Sequence, residues 1–323
     1  MSIKLFLASI VGLVYALQAA TGLAIPQDSV SKRIVNGFYM PNAFAPYAVY
    51  LTNRYGATGM SVCGGTIISP DYVLTAGHCV ISGGKYLPAS NITISYGSQD
   101  SSKQTKATTL KVTAHPKFLI NGKMDLAYDL ALVKIKTISL STNTARVPIY
   151  AGAIDAGQNL MAMGWGITQA DSLSQILQGV VVTTGDVATC KASNSEFQSQ
   201  NGPQLCTLTK LTPGQSTCVG DSGTSVVISQ GSTQYLAGSV SFSVIPNGGA
   251  CNSDDGVRYF IHPHYYIEFI AATTGLTQAY LTGTATSSSG NGAKELEADL
   301  SNKSNNVVIV TETVYHTPVF SYS

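Results

Sequence analysis

The sequence predicts an all-β domain, a sandwich or barrel, closed by one late helix. Three observations carry that expectation. Between residues 34 and about 274 the chain breaks into short apolar runs rich in β-forming residues, with Gly, Pro, Asn and Ser between them. Glycine is abundant, at 31 of 323 residues, as a chain of short strands and tight turns requires. A helical period shows only at Tyr265, Tyr266, Ile267, Phe269 and Ile270, which share one face, with Gly275 placed as a C-terminal cap.

The segments follow in order. Residues 1–20 read as an export signal: Lys4 supplies the charge, Leu5 to Leu17 is almost wholly apolar, and Ala19 and Ala20 offer small residues for cleavage. That run is shorter than the ~20 residues of a spanning helix. Residues 21–33 form a short polar pro-segment ending in Lys32-Arg33, a dibasic processing signal directly before Ile34. Tyr47 to Leu51, Asp71 to Thr75 and Asp129 to Ile135 are the clearest strands of the body, residues 34–275. Residues 276–323 are expected to be a disordered or loosely docked extension, opening with a Ser/Thr/Gly-rich linker and lacking the apolar end of a lipid-anchor signal. No internal repeat is visible.

Composition excludes some functions. A net charge of +1 with 11% charged residues does not supply the basic field that nucleic acid requires. Six cysteines, Cys63, Cys79, Cys190, Cys206, Cys218 and Cys251, suit three disulfides in an exported chain, with the pairing open. No CxxC pair or HExxH supports a zinc site. The sequons at Asn91 and Asn302 mark candidate glycan sites on the surface.

Three segments carry chemistry. The strongest is Cys218-Val219-Gly220-Asp221-Ser222-Gly223. A Ser hydroxyl is a weak nucleophile and needs a base beside it, and the oxyanion it creates needs donors. Glycines at 220 and 223 permit a tight turn that brings backbone N–H groups to a substrate. Alone, the segment also fits an ordinary turn. Leu74-Thr75-Ala76-Gly77-His78-Cys79 ends an apolar strand on a His, which alone fits a buried structural His. Tyr128-Asp129-Leu130 puts an Asp at the mouth of another strand, where burial is costly without a donor and where a surface cap is the plainer role. An imidazole N–H would satisfy that Asp and fix the His tautomer.

Together, in the order His, Asp, Ser, these segments resemble the chymotrypsin/trypsin family of serine proteases. Ile34-Val35-Asn36-Gly37 resembles that family's mature N-terminus. Cys63-Gly64-Gly65-Thr66-Ile67-Ile68 resembles the strand leading to its catalytic His, and Gly164-Trp165-Gly166 a motif of its second half. The resemblance spans about residues 34 to 275. It implies two antiparallel six-stranded β-barrels with a C-terminal helix. It implies His78 as general base, Asp129 as its orienting partner, Ser222 as nucleophile, and the N–H groups of Gly220 and Ser222 as the oxyanion hole. Trimming after Arg33 would free the Ile34 amine to pair with Asp221. The implied disulfides are Cys63–Cys79, Cys190–Cys206 and Cys218–Cys251.

Two departures stand out. Gly77 replaces the family's usual Ala, and Thr224-Ser225 stands where Gly-Pro is usual. The loop from Asn91 to Gln104 lacks the acidic pair with which some relatives bind calcium, so no metal or other cofactor is expected.

By the same resemblance Ser216, beside Thr217, is the base of the primary specificity pocket. Ser there implies a chymotrypsin-like or elastase-like preference for apolar residues. Ser241, Phe242 and Ser243 would line the substrate strand, and Gly256 would keep the opposite wall open. Arg258 pointing inward would favour acidic substrates, a placement that the cost of an unpaired buried guanidinium opposes. The expected protein is a secreted, monomeric endopeptidase made as a zymogen. It acts on proteins or peptides and meets protein inhibitors, with no nucleic acid partner and no membrane span. The competing expectation is an inactive homologue used for binding or adhesion.

Overall fold

The computed structural model describes residues 37–41, 44–56 and 58–284. The export signal, the Arg33–Ile34 junction, Asn302 and most of the C-terminal extension lie outside these residues.

The first half builds one antiparallel sheet. Its six principal strands are β1 (Ala48–Tyr55), β2 (Gly59–Ser69), β3 (Tyr72–Thr75), β4 (Ile92–Tyr96), β5 (Thr109–Ala114) and β6 (Ala131–Ile135). They are ordered β4-β1-β2-β3-β6-β5, with the short strand Thr105–Ala107 added beside β4. The second half repeats the plan with β7 (Asn159–Gly164), β8 (Gln178–Thr183), β9 (Gln204–Leu208), β10 (Ser225–Gln230), β11 (Thr233–Val244) and β12 (Val257–Ile261). Their order is β8-β7-β10-β11-β12-β9, with the two-residue strand Phe38–Tyr39 beside β8. Each sheet curls until its ends meet. β5 returns beside β4, and Thr184, just past β8, bridges to Thr207 of β9. The result is the pair of β-barrels that the resemblance implies, each with one short extra strand.

Alternation drives the curl. Val49 and Leu51 of β1 are fully buried with Ile67, Val73, Ile94 and Val133 from neighbouring strands. Leu160, Ala162, Val180, Val182, Val226, Ala237 and Phe260 fill the second interior. Disulfide Cys63–Cys79 ties the turn after β3 to β2, Cys190–Cys206 ties the short helix Val187–Ser193 to β9, and Cys218–Cys251 joins two loops of the second half.

The late helix forms as expected. A 3-10 turn at Pro263–Tyr266 runs into α2 (Ile267–Thr274), capped by Gly275 at φ 76°. Two helices were not expected. α1 (Val187–Ser193) starts where the Asp186 carboxylate accepts from the Thr189 N–H at 2.8 Å. α3 (Gln278–Thr282) corrects the boundary of the C-terminal extension. Leu281 is 1% exposed, its carbonyl accepts from the Ile149 N–H, and Arg146 donates to the Tyr280 carbonyl. The small polar residues around 276–284 read as linker, but one buried Leu and the Thr277 cap dock them on the body.

The barrels meet along a seam of small residues. The Gly64 N–H donates to the Ser222 carbonyl at 2.8 Å, and Thr66 shares a 2.6 Å hydroxyl–hydroxyl bond with Ser225. A Cβ on Gly64 would sit 2.1 Å from Cγ2 of Thr224. Gly64→Ala is therefore expected to lower stability by about 1–3 kcal/mol through overpacking. Adding Thr224→Ser, which removes that methyl, should recover part of the loss. Urea midpoints of the two single variants and the double check this; strictly additive effects would contradict the clash.

Candidate active site

His78 sits in the 3-10 turn Gly77–Val80, directly after β3, and Cys63–Cys79 ties that turn to β2. Gly77 is explained by its neighbour: a Cβ there would meet the buried Phe118 ring at 2.8 Å. Asp129 closes the turn Leu126–Tyr128 and leads into β6. Its carboxylate is 0% exposed and takes three donors. Oδ1 accepts from the His78 backbone N–H at 2.7 Å. Oδ2 accepts from His78 Nδ1–H at 2.8 Å and from the Ser241 hydroxyl at 2.5 Å. A buried carboxylate needs such donors, and these fix the imidazole with Nε2 as the free acceptor. Burial pulls the His78 pKa down, but the Asp129 charge and hydrogen bond together outweigh it and hold it above 6.5.

Ser222 lies on the opposite side of the seam, in a turn with positive φ at Gly220 (94°) and Gly223 (79°), where side chains are strained. Its carbonyl, bonded to Gly64, holds the turn against the first barrel. Among the described residues no acceptor takes the N–H of Gly220 or of Ser222. Asp221 turns inward and is fully buried. Its carboxylate accepts from the N–H groups of Gly166 and Cys218, both at 2.8 Å. A Cβ on Gly164 or Gly166 would collide with that carboxylate, which accounts for the glycines either side of Trp165. Burial raises the Asp221 pKa to about 6 against the pull of its two donors, and no cation pairs with it among the described residues. Thr224 donates to the Asp221 carbonyl at 2.6 Å, so this departure from the family pattern braces the same turn.

The expected pocket residues fall on both sides of β12. Ser216 and Thr217 are buried, and Gly256 is buried at the start of β12. Phe242 stacks on Tyr259 with centroids 4.7 Å apart. With Met124, Asp125, Leu126 and Glu196 it lines a cleft of about 290 Å³ beside the Asp129 turn. Ser243 is exposed and pairs with Arg258 across β11 and β12. Arg258 departs from expectation. It is 2% exposed, and its Nε–H donates to the Ser216 hydroxyl at 2.6 Å. Ser241, expected only along the substrate strand, is bonded to Asp129. A hydroxyl facing a buried carboxylate leaves no sequence signature.

His78 and the sulfurs of Cys63 and Cys79 lie within 4.8 Å of one another. The sulfurs share a disulfide, so neither offers a thiolate to a metal. Asn91 is half-buried at the end of a 3-10 turn, its amide donating to the Arg54 carbonyl.

A family model described as Trypsin matches residues 34–270. Trypsin 5G1 of Aedes aegypti is 31% identical over 198 residues, 60% of this chain and 70% of that protein. A chymotrypsin of Phaedon cochleariae is 28% identical over 212 residues, covering 63% and 72%. Trypsin I-P38 of Gallus gallus is 28% identical over 222 residues, covering 65% and 82%. Relatives named for two different enzymes leave the pocket to be read from this chain itself.

NMR titration of the imidazole should put the His78 midpoint above 6.5. In Asp129→Asn the charge is gone while burial remains, so the midpoint should fall below 6.5. The His78–Asp129 attraction stabilises the fold below the unfolded His value near 6.5 and fades as pH rises through the higher folded value. An unmoved midpoint in the variant would show that Asp129 does not set it.

Proposed function

The chain belongs to the trypsin family of serine proteases, and from that premise we propose that it is an active, exported endopeptidase made as a zymogen. The observation that carries this is the His78–Asp129 pair, 2.8 Å apart at the seam where Ser222 stands on its glycine turn. Asp129 takes the Nδ1–H, so Nε2 accepts the Ser222 proton as Oγ attacks the substrate carbonyl. The oxyanion then draws on the N–H groups of Gly220 and Ser222, which no acceptor occupies among the described residues. His78 returns its proton to the leaving amine, leaving an acyl-Ser222. A water, deprotonated by the same Nε2, releases the acid and restores the hydroxyl.

The zymogen part rests on Asp221. A buried carboxylate with two backbone donors and a pKa raised by burial favours a cation. The ammonium of Ile34, freed by trimming after Arg33, is the cation this reading assigns. Export rests on the apolar run behind Lys4 and on the three disulfides. Asn91 and Asn302 would then carry N-glycans, and protein substrates and protein inhibitors are the partners. Ser216 first suggested an apolar preference; with Arg258 bonded to its hydroxyl that suggestion lapses.

Protein trimmed after Arg33 should be labelled at Ser222 by a fluorophosphonate and should hydrolyse casein. Ser222→Ala should abolish both, and Arg33→Gln, left uncut, should label poorly. A folded, trimmed chain that does not label would sink the enzyme reading in favour of a binding module. Asp129→Asn should cut kcat by about 10⁴-fold. The acid limb of the wild-type profile should have its midpoint above pH 6.5, because protonated His78 cannot act as base.

A further inference from the structure

Arg258 is the one buried guanidinium among the described residues, and its environment is incomplete. Nε–H donates to Ser216, and Nη2 donates to the Cys251 carbonyl. Nη1 is buried and has no hydrogen-bond partner among the described residues. No carboxylate among them pairs with the group; Asp254 and Asp255, close by in the chain, are exposed instead. Burial lowers its pKa only to about 10, so it is cationic at neutral pH.

The surroundings hold this charge in place. The Ser216 hydroxyl gives its proton to the Thr217 carbonyl at 2.9 Å and so offers Nε a lone pair. Cys218–Cys251 fastens the segment leading to Ser222 to the loop whose carbonyl holds Nη2. Gly256 leaves the room: a Cβ there would lie 3.2 Å from Nη2. Ser216 stands six residues before Ser222, and Arg258 pairs with Ser243 of the strand that reaches Asp129 through Ser241. If Ser216 is the base of the primary pocket, as the family resemblance implies, the guanidinium bonded to its hydroxyl stands at that pocket's floor.

We propose that this pocket selects an acidic side chain, Asp or Glu, at the residue whose carbonyl Ser222 attacks. The proposal rests on the endopeptidase reading above. A substrate carboxylate would accept from Nη1 and supply the missing counter-charge, a charge-assisted bond of the strong kind. An aromatic or aliphatic side chain would bury itself against an unsatisfied cation, and a basic one would meet a like charge.

The test uses chromogenic peptides that differ only at the cleaved residue: Asp, Glu, Phe, Leu, Ala and Arg. Rates are taken with the trimmed full-length chain and divided by the concentration of fluorophosphonate-labelled Ser222. The expected result is kcat/KM for Asp or Glu at least tenfold above Phe, with Arg the poorest. Arg258→Gln should lower the acidic-to-Phe ratio at least tenfold. Ser216→Asp, which supplies an internal counter-charge and guards against a misfolded Arg258 variant, should lower it too. A preference for Phe, Leu or Arg in labelled enzyme would overturn the proposal, as would a ratio unmoved by both variants. A chain that never labels fails at the earlier step and takes this proposal with it.

Discussion

The buried carboxylate of Asp129 is the joint on which the site depends. It belongs to the first barrel, and two of its donors come from the neighbouring His78 turn. The third, Ser241, arrives on β11 of the second barrel. The carboxylate is fully satisfied only when the barrels are docked. Docking in turn requires the seam to be thin. Gly64 against Thr224, and Thr66 bonded to Ser225, let the backbones approach closely enough for Ser241 to reach across. Removing one donor from a buried charge costs more than the bond was worth, because the charge stays behind unpaired. Imidazole orientation, barrel docking and placement of the Ser222 turn are thus parts of one hydrogen-bonded arrangement.

Three buried charges near the seam stand at different stages of completion. Asp129 has three donors. Asp221 has two backbone donors and no cation among the described residues. Arg258 has two acceptors and a buried nitrogen with none. Burial drives each toward neutrality or toward a partner. The two incomplete ones are where the proposals place an outside group, the new chain end at Asp221 and a substrate carboxylate at Arg258.

Much of this was legible in the sequence. Short runs rich in β-formers, such as Asp129 to Ile135, marked the strands, and the glycines beside Ser222 marked the turn. The late helix was readable from the spacing of Ile267 and Ile270. Other features were not, for identifiable reasons. α3 hides in small polar residues because a single Leu281 carries its burial. The part played by Ser241 depends on a contact spanning 112 residues. Arg258 was expected outside on a sound cost argument. That argument weighs a folded chain alone and leaves out a ligand that brings its own counter-charge.

The seam also separates the reactive groups in time. His78 and Asp129 sit in turns beside strands that are made first, and Ser222 and its turn are made later. Domains generally fold in the order they leave the ribosome. The first barrel can gather His78 and Asp129 before Ser222 exists, but Asp129 still waits for the Ser241 hydroxyl of the second barrel. The cell that makes this chain therefore handles an incomplete site for as long as its second half is being made. On the proposed reading, barrel docking assembles the triad and the later cut after Arg33 releases its activity.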